Sequence, residues 1–136
     1  MRMVIEVDGA SRGNPGAASC GIVLRREGGP EREIGLFVGK TTNNVAEYLA
    51  VICGLELAQK EGATEIWLRT DSELLVKQLS GTYRVRADHL RPLYTKVMKL
   101  LGTFKETDVQ HVPREKNRRA DGLANLALDA AARIPC

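Results

Sequence analysis

The spacing of apolar and polar residues changes several times along the chain, and each change marks an element. Met1 to Val7 alternates and carries Val4, Ile5 and Val7, Ser19 to Arg26 holds the run Gly21-Ile22-Val23-Leu24, and Glu33 to Val38 mixes β-branched, aromatic and charged residues. Period-two patterns and short apolar runs of this kind predict three strands. Gly28-Gly29-Pro30 is a turn signal between the second and third, so an antiparallel meander is expected. From Asn44 to Glu61 the pattern is helical and apolar on nearly every side, after Thr41-Thr42-Asn43-Asn44, each residue of which could cap it. A helix apolar all round has to be buried.

Glu65 to Arg69, led by Ile66-Trp67-Leu68, predicts a fourth strand, with a helix from near Ser72. After a break at Ser80-Gly81, Leu90, Leu93, Tyr94, Val97, Leu100 and Leu101 recur at helical spacing from about Asp88 to Leu101, and Gly102 ends the run. Lys105 to Val112 reads as a fifth strand. A last helix from near Arg118 carries Ala120, Leu123, Ala124, Ala127, Leu128 and Ala131. The order βββαβααβα predicts an α/β fold: a five-stranded mixed sheet, three antiparallel strands then parallel additions, with helices on both faces. A right-handed crossover makes the fourth strand parallel to the first and brings their carboxyl ends to one edge, where open sheets bind ligands. Asp8 and Asp71 belong to that edge.

At 136 residues, 43% of them hydrophobic, the chain can bury one core, so a single domain over residues 1–136 is expected. The absence of repeats and low-complexity segments argues against a solenoid or a disordered chain. Ala46 to Leu57 is interrupted by Glu47, Tyr48 and Glu56 and falls short of the ~20 residues of a membrane span. The N-terminus enters a strand pattern without a secretory signal, so a cytoplasmic monomer with no membrane partner is the default expectation. Cys20, Cys53 and Cys136 form no C-x-x-C pair, which argues against zinc and redox motifs; a Cys53–Cys136 bond is expected only from a hyperthermophile. The net charge of +3 identifies no partner, but Arg114, Lys116, Arg118 and Arg119 cluster beside Asp121, and Arg84, Arg86, His89 and Arg91 form a thinner group.

Four acids carry the candidate chemistry. Asp8 ends the first strand at a junction with a glycine-bearing loop, and alone reads as a turn former. Asp71 alone reads as a helix N-cap. Glu47 lies three residues after Asn44 and could be a capping-box acid, but it shares a helical face with Ala50, Val51, Gly54 and Ala58, where an ionised carboxylate needs a cation. Asp121 could be a solvated first-turn acid, yet its face carries Ala124 and Leu128. Four acids aimed at one sheet edge repel one another unless divalent metal neutralises them. All-oxygen donors suit Mg²⁺ or Mn²⁺ over zinc, and the implied chemistry is phosphoryl transfer with two ions ~4 Å apart. Val38-Gly39-Lys40-Thr41-Thr42 ends like a P-loop, but the required first glycine would fall on Ile34, so nucleotide hydrolysis is not indicated.

Four segments in order, Val7-Asp8-Gly9-Ala10-Ser11-Arg12-Gly13-Asn14-Pro15-Gly16, Thr41-Thr42-Asn43-Asn44-Val45-Ala46-Glu47, Thr70-Asp71-Ser72 and Ala120-Asp121-Gly122-Leu123-Ala124, resemble the type 1 ribonuclease H family along essentially the whole chain. The resemblance implies that Asp8, Glu47, Asp71 and Asp121 bind two Mg²⁺ ions, for which Mn²⁺ can substitute. It further implies sequence-independent cutting of the RNA strand of RNA–DNA hybrids, with 5′-phosphate and 3′-hydroxyl ends. Gly9, Ser11, Asn14, Asn43 and Asn44 would line the minor groove, where 2′-hydroxyls mark RNA. Asn14 and Thr42 would also match a pocket for a DNA-strand phosphate.

Three departures qualify the match. The segment Val112-Pro113-Arg114-Glu115-Lys116-Asn117 is short and lacks the loop histidine of many relatives; His111 sits close to the strand end, and Arg114 is the candidate substitute. Ser80 to Pro92 is too short for the basic protrusion of larger relatives, so weaker, salt-sensitive hybrid binding is expected. Glu73 stands where an amide is common, which leaves double-stranded RNA open as a second substrate. The rival readings are a non-catalytic nucleic-acid-binding module, which would not need all four acids, and another nuclease of the superfamily, such as a Holliday-junction resolvase or transposase core.

Overall fold

The computed structural model describes residues 1–133; the pairing considered for Cys53 with Cys136 lies outside the described residues. Strands β1 (Arg2–Gly13), β2 (Gly16–Arg26), β3 (Glu31–Thr41), β4 (Glu65–Thr70) and β5 (Glu106–His111) form one sheet in the order β3-β2-β1-β4-β5. Four helices accompany them: α1 (Asn43–Lys60), α2 (Glu73–Leu79), α3 (Arg91–Leu101) and α4 (Arg118–Ala132). The first three strands are antiparallel neighbours, whereas β1–β4 and β4–β5 are parallel. The element order and the mixed sheet are those the sequence predicts.

Side chains of β2 show how the sheet serves two layers. Cys20 and Ile22 face α1, where the Cys20 thiol donates to Ala46 O at 3.3 Å and Ile22 meets the Gly54 notch of that helix. Ser19 and Gly21 face α4, where the Ser19 hydroxyl donates to Ala124 O and Gly21 lies against the Ala120 carbonyl. Helix α1, buried along Ala46, Tyr48, Ala50, Val51, Ile52, Gly54, Leu55 and Ala58, is packed between the sheet and α3. Its all-round apolar character follows from that position. Among the described residues no helix is long and apolar enough to cross a membrane.

Several boundaries differ from the pattern. Strand β1 runs on through Gly13, so Asp8 is a strand residue paired with Gly21 and not the start of a loop. Its parallel ladder with β4 stops at Glu6 opposite Arg69, so beyond Glu6 the strand is paired on its β2 side and has no β4 partner on the other. Helix α1 is capped by Thr42, whose hydroxyl accepts from Val45 N at 3.2 Å, so Asn44 is not the cap and Glu47 is not at a capping-box position. Helix α3 starts at Arg91, not near Asp88, with Pro92 in its first turn, because proline presets the helical φ there and has no N–H to satisfy.

Candidate active site

Where β1 and β4 separate, a cleft of about 370 Å³ opens, lined among others by Asp8, Glu47, Asp71, Asp121 and Arg114. Each acid arrives on a different element: Asp8 on β1, Glu47 on the second turn of α1, Asp71 just past β4, and Asp121 on the first turns of α4. Two glycines let the helices come this close. A Cβ on Gly9 would strike the backbone of α1 at Ala46 and Glu47, and one on Gly21 would strike the Ala120 carbonyl of α4. Gly9 follows Asp8 and Gly21 pairs with it, so one notch on each face seats one acid-bearing helix beside Asp8.

For Asp8, Glu47 and Asp71 the ordinary alternatives fail on geometry, while Asp121 does stand in the first turn of α4. The cap of α2 is Ser72, whose hydroxyl accepts from Leu75 N at 3.2 Å; Asp71 is free of that task. Glu47 takes a hydrogen bond from the Asn43 amide at 2.9 Å and stands beside Ser72. Burial raises its pKa most, Asp71 adds to the rise, and the polar Ser72 and Asn43 side chains oppose it. Asp8 is pushed up to about 8, first by burial, then by the charge of Asp71, a hydrogen bond shared with Asp121, and the charges of Asp121 and Glu47.

The remaining expected residues divide into three groups. Gly9, Ser11 and Asn43 line the cleft. Asn14 is beside it, its Oδ1 accepting from the Asn43 backbone N–H at 3.1 Å, and Thr42 caps the same helix end. Asn44 lies in a small adjoining crevice with Glu47 and Ser72. Glu73 is outside the cleft lining and is paired with Lys77 at 2.9 Å, the contact that chiefly lowers its pKa. His111, the last residue of β5, is also outside the lining, near enough to Glu73 to favour its charged form.

Two polar residues to which sequence reasoning gave no role touch the acids. Asn125 donates to the backbone O of Asp121 at 3.0 Å and to its carboxylate at 3.3 Å. Asn117, immediately before α4, is buried and donates to Val7 O at 2.9 Å and to Asp71 Oδ2 at 3.4 Å. The basic cluster is partly spent on structure, because Arg119 bonds Glu31 at 2.7 Å and Glu33 at 2.8 Å.

The donor set fits a hard divalent cation: carboxylate oxygens only, in a cleft where burial first and the neighbouring acids second push the Asp8 carboxyl up. Among the described residues no three His, Cys, Asp or Glu side chains are already gathered at coordinating distance. The fit therefore rests on the charge collected in one cleft and not on a preformed cage.

A family model described as reverse transcriptase-like matches residues 6–127. A bifunctional protein of Mycobacterium tuberculosis is 45% identical over 134 residues, 97% of this chain and 37% of that protein, so the chain spans little more than a third of that relative's length. Among solved structures, RNase H1 from Halobacterium salinarum superposes with a TM-score of 0.91 at 45% identity, covering 96% of this chain and 99% of that one. LC11-RNase H1, solved in complex with an RNA/DNA hybrid, gives 0.88 at 40% identity, covering 96% of this chain and 99% of that one.

Proposed function

This chain belongs to the ribonuclease H family, and on that premise we propose that it is a metal-dependent endonuclease that cuts the RNA strand of RNA–DNA hybrids at any sequence, leaving 5′-phosphate and 3′-hydroxyl ends. The observation that carries the reading is the convergence of Asp8, Glu47, Asp71 and Asp121, from four separate elements, on one open cleft. These four would hold two Mg²⁺ ions, or Mn²⁺ in their place. When bound, such ions lower the pKa of the attacking water and offset charge on the departing oxygen.

The chain's own groups supply placement. Gly9, Ser11 and Asn43 in the cleft wall, with Asn14 and Asn44 beside it, present backbone and side-chain polar atoms to the 2′-hydroxyls of the strand to be cut. Asn14 uses its Oδ1 on the Asn43 N–H, and Thr42 uses its oxygen as acceptor for Val45. The Asn14 amide and the Thr42 hydroxyl hydrogen therefore remain as donors for a DNA-strand phosphate. Arg114, exposed in the cleft wall, supplies a fixed positive charge for the cleaved phosphate and its release. Double-stranded RNA offers the same 2′-hydroxyls and is a second substrate in this reading. It lacks the deoxyribose strand that the phosphate pocket suits, and Glu73, exposed next to Ser72 of the cleft lining and paired with Lys77, is the residue whose duplex contacts would bear on the choice.

A binding module without catalysis is disfavoured on electrostatic grounds, since four carboxylates with no cation would meet a polyanion in the same cleft. Asp71→Asn tests the assignment. Hybrid affinity is expected to stay within about threefold while kcat falls by at least about a thousandfold, with Arg114→Ala giving a smaller loss. Near-normal turnover by Asp71→Asn would remove the metal-binding role.

A further inference from the structure

Asn117 joins parts of the site that are remote in sequence. Its Nδ2 donates to the Val7 carbonyl, one residue before Asp8, at 2.9 Å, and to Asp71 Oδ2 at 3.4 Å. Its backbone carbonyl accepts the Asp121 N–H at 3.1 Å, and its own N–H donates to the Arg114 carbonyl at 3.0 Å. The residue is 1% exposed, and three of the four acids and the candidate cation are within one bond, or one residue, of it.

The side chain does not serve as a helix cap: α4 begins with no side-chain cap bond from Asn117. Its Oδ1 is buried without a hydrogen-bond partner. A buried, unsatisfied oxygen is unfavourable, and an apolar residue of similar size would avoid it. Such a residue would leave the Val7 carbonyl and the Asp71 carboxylate without their N–H donors. What the asparagine contributes is therefore its pair of amide hydrogens, aimed at the end of β1 and at Asp71. A carboxylate clustered with three others needs a fixed direction, and a donor behind a ligand provides it.

Resting on the four-carboxylate reading above, we infer that Asn117 is a positioning residue: its amide fixes the Asp71 carboxylate against the end of β1, and its backbone ties Asp121 and Arg114 to the same point.

The test uses the whole chain, freed of metal, as wild type, Asn117→Ala, Asp71→Asn and the double variant, each at a temperature where its circular dichroism is native. Mn²⁺ affinity is read from the paramagnetic resonance of free Mn²⁺, and kcat and KM from hybrid cleavage. Asn117→Ala is expected to lose about 10–100-fold in Mn²⁺ affinity and in kcat with KM within about threefold. In the Asp71→Asn background the same change should cost less than about twofold in Mn²⁺ affinity. Should the alanine variant not fold, Asn117→Ser, whose shorter side chain cannot span from Val7 O to Asp71, carries the same expectations. Wild-type Mn²⁺ affinity and kcat in Asn117→Ala, or an equal loss in both backgrounds, overturns the inference. Failure of the wild type itself to bind Mn²⁺ overturns the reading beneath it instead.

Discussion

Asp8 and Gly9 are neighbours on β1 and serve opposite faces of the sheet. Asp8 lies on the side of α4, sharing a hydrogen bond with Asp121, while Gly9 makes room for α1 and so for Glu47. The price of this convergence is a carboxyl whose pKa is raised from 3.8 to about 8. In metal-free protein the folded state holds that proton over a range in which the unfolded chain has lost it. The stability from this group is thus fully present below about pH 4 and is lost as pH rises through 8. Asp8→Asn removes the titration, so its melting temperature in chelator should gain on that of wild type steadily between pH 4 and pH 8. Added Mg²⁺ should stabilise wild type at pH 8 far more than the variant. A melting-temperature difference that is the same at both ends of the range would show that Asp8 is not the strained acid.

At the scale of elements, the decisive contacts are between backbones. Gly21 on β2 allows the Ala120 carbonyl of α4 to sit where a Cβ would be, and Gly35 on β3 does the same near Leu123. Helix α4 therefore lies flush on the sheet, and Asp121 reaches Asp8. Gly21→Ala should lower stability by about 1–3 kcal/mol, and at a temperature where the variant is folded its kcat should fall by about tenfold or more because Asp121 is displaced. An unchanged kcat in a folded variant would mean that α4 need not lie so close. The sequence disclosed α4 and its apolar face, since Ala120, Ala124 and Leu128 repeat at helical spacing and are buried. It could not disclose the closeness, because glycine in a strand reads only as a weak strand former. The extension of β1 past Asp8 was hidden for a similar reason: Gly9, Ser11 and Gly13 have low strand propensity, and pairing with Cys20, Ala18 and Gly16 on β2 overrides it.

For the molecule as a whole, the order of elements and the edge carrying the acids were legible, because alternation, helical periodicity and crossover handedness act locally or follow general rules. The four acids could be named in advance, whereas the polar residues that orient them could not. Asn117 is 110 positions from Val7 and 46 from Asp71, and no local pattern relates such residues. The charge pattern also required the fold: Arg119 pairs with Glu31 and Glu33 at the surface of β3, whereas Arg114 is left in the cleft wall. The proposed cutting of RNA strands in this cleft with bound divalent metal is tested most directly by incubating the protein with end-labelled RNA–DNA, RNA–RNA and DNA–DNA duplexes of one sequence, in Mg²⁺, Mn²⁺ or chelator, and resolving the product ends. Metal-dependent cuts confined to RNA strands, fastest in the hybrid, with 5′-phosphate and 3′-hydroxyl termini, are expected. Cutting that survives chelator, or duplex binding with no cutting in either metal, would contradict the proposal.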